Sequence, residues 1–124
     1  MRVVMFQKAK KNTDIEKVCK VFGDYMERSP YIDLLWSDKL GYILAQMNAK
    51  KGEIVESQVI SDAGSLCWIM FHEVAGEVLQ RTNKEHALYE ADAAERDEIE
   101  KTLMPYAEQL PEYRDFYGRL FERP

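Results

Sequence analysis

The chain has 124 residues, 46% of them hydrophobic and 31% charged, with a formal net charge of −5. That length and apolar content suit one core of ordinary single-domain size, and the acidic balance argues against a general nucleic-acid binder, whose affinity comes from neutralising phosphates. Six glycines and four prolines leave little material for linkers, so one domain over residues 1–124 is expected.

The opening apolar stretch, Val3 to Phe6, is shorter than a signal peptide's core and runs into Lys8, Lys10 and Lys11. Residues 1–12 read as an N-terminal arm or a short strand. A first helix begins at Thr13, where Thr-Asp-Ile-Glu has the form of a capping box between Thr13 and Glu16. Ile15, Val18, Cys19, Phe22, Tyr25 and Met26 then recur at helical spacing. Ser29-Pro30 closes this helix and supplies the cap and first position of the next. There Ile32, Trp36, Leu40, Ile43 and Met47 make one stripe, Leu35 and Tyr42 a second, and Gly52 after Lys50 and Lys51 makes a stop. Glu53 to Ile60 suits a short helix, although its β-branched residues would also suit a strand; the helix is the reading taken.

A third long helix is expected over Ala63 to Thr82, with Ala63, Cys67, Met70, Val74 and Val78 as its apolar line. Its run Leu66 to Phe71 is the longest uninterrupted apolar stretch of the chain, far below the roughly 18 residues that suggest a membrane span. Asn83 to Asp92 is a connection. Ile99, Leu103, Tyr106 and Leu110 mark a narrow stripe on a charged helix, in phase through Pro105, and Pro111 opens a last helix with Tyr113, Phe116, Tyr117 and Leu120 on one face. The fold class expected is all-α, a single-domain bundle of four to five helices with a central buried helix around residues 63–82.

Cys19 and Cys67 each fall on an apolar helix face and read as reduced core residues, in keeping with a cytoplasmic location. Residues 1–20 carry six basic groups against two acidic ones, and residues 84–124 carry six against eleven, so the chain ends have opposite signs.

Few residues offer chemistry. His72 is turned about 100 degrees from Glu73 around the helix, so it does not converge with Glu73 and Glu77. A metal would need a facing pair, for which Glu53 and Glu56 are the candidates; four such carboxylates could hold Mg²⁺ or Mn²⁺ through oxygen. The E-x-x-E of Glu53 and Glu56 resembles the first element of the all-α nucleotide pyrophosphohydrolases, whose second element is E-x-x-D. Glu73 and Glu77 stand four apart instead of three, and no aspartate follows in place. The resemblance implies, as an alternative, a Mg/Mn-dependent nucleotide pyrophosphohydrolase-like enzyme. Cys19, Cys67, His72 and His86 have no zinc-ligand spacing, and no Gly-rich phosphate loop or nucleophile motif is present. No cofactor is expected.

The rings of the C-terminal end, Tyr113, Phe116, Tyr117 and Phe121, together with Leu120, make a candidate interaction surface. The leading expectation is therefore a non-enzymatic helical interaction or structural module, self-associating as a homodimer or binding a protein partner, without membrane or nucleic acid as partner.

Overall fold

A computed structural model of the chain describes residues 8–48, 52–81 and 87–123. Residues 1–7 of the expected N-terminal arm or short strand lie outside them, and Thr82 and His86 lie outside as well. The chain gathers into two compact units, residues 1–63 and 64–124.

The first unit overturns the all-α, helical-bundle expectation. It contains α1 (Thr13–Val21), α2 (Gly23–Arg28) and a three-stranded antiparallel sheet in the order β1 (Ile32–Ser37), β2 (Gly41–Asn48), β3 (Glu53–Ile60). The stripe assigned to a second helix is a β-hairpin. Ile32 and Trp36 are four apart, an even step that keeps two side chains on one face of a strand as well as of a helix. Leu34, between them, shares that sheet face by register and decides against the helix. The turn depends on Gly41, whose φ of +84° lies in the left-handed region that L side chains rarely adopt. Ser37 Oγ accepts from the backbone N–H groups of Lys39 (3.3 Å) and Leu40 (3.1 Å), which closes it locally. Gly52, expected to stop a helix, has φ of +65° and stands directly before β3.

Register assigns the two faces of the sheet. Ile32, Leu34 and Trp36 pair with Gln46, Leu44 and Tyr42, and Tyr42 pairs with Ile60; on this face Ile32, Leu44, Tyr42 and Ile60 are buried. α1 is tied to it through the Tyr42 hydroxyl, which donates to Glu16 Oε1 at 2.7 Å and accepts from the Asn12 N–H at 3.0 Å. Ile15, Val18 and Phe22 are buried, as the helical spacing requires.

The helix end differs in detail from the expected capping box. Asn12 is the cap, its Oδ1 accepting from the Asp14 and Ile15 N–H groups, which leaves Glu16 for Tyr42. The expected single helix breaks at Phe22, and Ser29 ends α2 rather than opening a helix.

In the second unit, α3 (Ala63–Arg81) follows the expected span, and from Leu66 onward Cys67, Met70, Phe71, Val74, Ala75, Val78 and Leu79 are buried. A short 3-10 turn, Leu88–Glu90, precedes α4 (Ala93–Ala107), which runs through Pro105 and buries Ile99, Leu103 and Ala107. α4 opens on a capping box: Asp92 Oδ1 accepts from the Glu95 N–H at 2.8 Å and Glu95 Oε1 accepts from the Asp92 N–H at 3.0 Å. This bond satisfies a carboxylate oxygen of Glu95, which is buried at 4% exposure. A 3-10 turn at Pro111–Tyr113 leads into α5 (Arg114–Arg119). No helix among the described residues is long and apolar enough to cross a membrane.

Candidate functional site

Among the described residues of the first unit, Leu35, Ile54, Val55 and Val59 of the sheet are large apolar side chains left exposed. Leu35, Ile43 and Val59 are register partners and form one row across all three strands. Leu35 is 42% exposed and Val59 49%. The next row on this face is Asp33, Ala45 and Ser57, and beyond it Met47 pairs with Ile54, which is 59% exposed. Among the described residues Val55 has no register partner, because the pairing shifts between Gln46 and Met47, and the residue is 70% exposed. It occupies a β-bulge.

Among the described residues β3 is an outer strand of this sheet, and it is exposed at seven of its eight residues, Ile60 being the buried one. Natural edges are blunted with lysine, proline or brevity; β3 has neither residue type and is the equal of the central strand in length. Its defences are the bulge at Val55 and the carboxylates of Glu53 and Glu56. β1, at the opposite edge, is shorter and preceded by Pro30.

The carboxylates singled out from the sequence sit on different kinds of element. Glu53 and Glu56 are on β3, not on a helix, and the bulge brings both to the register face of Asn48 and Gln46. Glu73 and Glu77 are on α3, where Glu77 pairs with Arg81 at 2.7 Å. Burial raises the pKa of Glu73, the charge of Glu77 adds to the rise, and His72 opposes it. Among the described residues no three His, Cys, Asp or Glu side chains are grouped to hold a metal ion.

The C-terminal aromatics form a connected set within the second unit. Tyr113 stacks on Phe116 at 5.5 Å, Phe116 meets Trp68 edge-on at 5.5 Å, and Tyr117 meets Phe121 at 5.8 Å. Leu120 is buried and the four rings are half-buried. Burial also raises the pKa of Tyr117, with the charge of Glu100 next in effect. The sheet face has one signal in the sequence, the β-branched run of Glu53 to Ile60, which suits a strand as well as the short helix expected there. Comparison with family models, with curated proteins and with solved structures finds no match to this chain.

Proposed function

We propose that this protein is a non-enzymatic interaction module that self-associates by pairing β3 of one copy with β3 of another. The observation that carries the reading is the eight-residue outer strand exposed over seven residues beside a cross-strand apolar row. Added strands satisfy backbone donors and acceptors that an edge leaves open, and a two-fold pairing of identical strands is the simplest closed way to do so.

Symmetry narrows the register. A two-fold axis normal to the sheet pairs β3 with its copy antiparallel and sets one residue opposite itself. Centring on Glu56 would place two carboxylates face to face, a destabilising arrangement. Centring on Ser57 or on Gln58 avoids this. The two favoured registers therefore differ in which of these residues meets its own copy.

Single-cysteine variants Ser57→Cys and Gln58→Cys distinguish them, since directly opposed residues lie within disulfide reach. The native thiols compete little: burial pushes the Cys19 thiol up to about 11 and the Cys67 thiol up to about 12, which keeps thiolate scarce at pH 8. The expected result is a dimer by light scattering and a disulfide-linked dimer for one of the two variants under mild oxidation. Val59→Lys should make the chain monomeric while leaving it folded. A monomeric wild-type chain at about 100 µM, with neither variant crosslinking, would overturn the reading. A reducing, cytoplasmic compartment belongs to the same proposal, because there Cys19 and Cys67 stay thiols.

A further inference from the structure

The second unit contains a cavity of about 360 Å³ that the self-association reading does not use. Its size falls within the range of small-molecule sites. Trp68 and His72 from α3, Tyr89 from the turn before α4, and Arg119, Glu122 and Arg123 from the C-terminal end line it.

These groups are organised by one another. The His72 ring meets the Trp68 ring edge-on with centroids 4.2 Å apart. His72 Nδ1 lies 2.9 Å from the Trp68 carbonyl oxygen. A carbonyl can only accept, so Nδ1 carries a proton and donates, and in the neutral tautomer that this bond selects Nε2 is the acceptor. The Arg119 guanidinium lies over the Trp68 ring at 5.4 Å and the Arg123 guanidinium over the Tyr89 ring at 5.0 Å. Aromatic faces hold the two cations, while guanidinium N–H groups lie in its own plane and are the natural fork for a carboxylate. Among the described residues neither arginine has a carboxylate partner. The lining carries two guanidiniums and one carboxylate, that of Glu122.

We infer that this cavity binds a small aromatic carboxylate. The arginines take its carboxylate, the walls of Trp68 and Tyr89 take its ring, and His72 Nε2 accepts a hydrogen bond from a ring hydroxyl. The lining holds no serine, threonine, cysteine or lysine, and the inference is of binding alone.

The test uses the full chain and four probes: 4-hydroxybenzoate, its uncharged analogue 4-hydroxybenzyl alcohol, benzoate, which lacks the ring hydroxyl, and inorganic phosphate. Saturation-transfer NMR and titration calorimetry should find saturable binding of 4-hydroxybenzoate. The alcohol, lacking the charge, and phosphate, lacking the ring, should each bind at least about tenfold more weakly. Arg119→Gln and Arg123→Gln should each weaken 4-hydroxybenzoate about five- to tenfold, with circular dichroism unchanged. His72→Phe should remove the preference for 4-hydroxybenzoate over benzoate. No saturation by about 10 mM would overturn the inference. So would equal binding of the alcohol, equal binding of phosphate, or a folded double arginine variant that binds as tightly as wild type.

Discussion

Replacing Tyr42 with Phe tests the link between α1 and the sheet without altering shape. Tyr42 is 5% exposed, and its ring meets Trp36 edge-on at 5.0 Å, a contact that the substitution keeps. What is lost is the donation to Glu16 Oε1 at 2.7 Å and the acceptance from the Asn12 N–H at 3.0 Å. A hydrogen bond to a charged acceptor contributes about 1.5 to 3 kcal/mol. The Glu16 side chain is 47% exposed, so water competes for it and the lower half of that range applies. The expected loss is about 1.5 kcal/mol, which at a urea m-value of about 2 kcal/mol per molar lowers the midpoint by about 0.7 M. Tryptophan fluorescence follows the transition, because Trp36 touches the altered ring. Glu16→Gln keeps an acceptor oxygen and should cost less, and the double variant should fall short of the sum of the singles by about 1 kcal/mol. A midpoint shift below about 0.2 M for Tyr42→Phe, or strict additivity with Glu16→Gln, would refute this account of the helix–sheet link.

Two glycines should respond in opposite directions to the same substitution. Gly41→Ala forces a side chain onto a backbone with φ of +84° and should destabilise by about 1 kcal/mol, although its Cβ would meet Ala9 only at an ordinary 3.6 Å. Gly76→Ala, inside α3 with nothing within 4 Å of the new Cβ, should stabilise by up to about 1 kcal/mol; equal signs in urea melts would contradict the backbone argument. The pH dependence of stability should change with Glu73→Gln. Burial and Glu77 raise the folded pKa of Glu73, so the folded chain binds more protons than the unfolded one and wild type loses stability as pH rises through that pKa. The variant should therefore be the more stable protein at pH 7, with the difference vanishing below the ordinary carboxylate range. A difference that grows towards acid pH would reverse the assignment.

Where chain-local signals suffice, sequence and structure agree. The apolar spacing of Ile15, Val18 and Phe22 and the line Cys67, Met70, Val74 and Val78 correspond to buried helix faces, because a helix closes its hydrogen bonds within a few residues and its pattern can be read in place. Pro111 likewise marks a helical turn's first position. Asp92 and Glu95, at the end of the segment expected as a connection, have the spacing of a capping box and form one.

Residues 32 to 60 lay beyond such reasoning. Steps of four from Ile32 to Trp36 and from Trp36 to Leu40 satisfy both periods, and the bond partners of Tyr42 and Leu44 lie on strands before and after them in sequence. Whether this segment coils into a helix or pairs into a sheet depends on non-local backbone bonding, which only the tertiary structure supplies. The same is true of the candidate surfaces. The exposure of Val59 beside the burial of Ile60 depends on which sheet face meets the core, and the grouping of Trp68, His72, Tyr89, Arg119 and Arg123 arises from folding segments that local pattern cannot bring together.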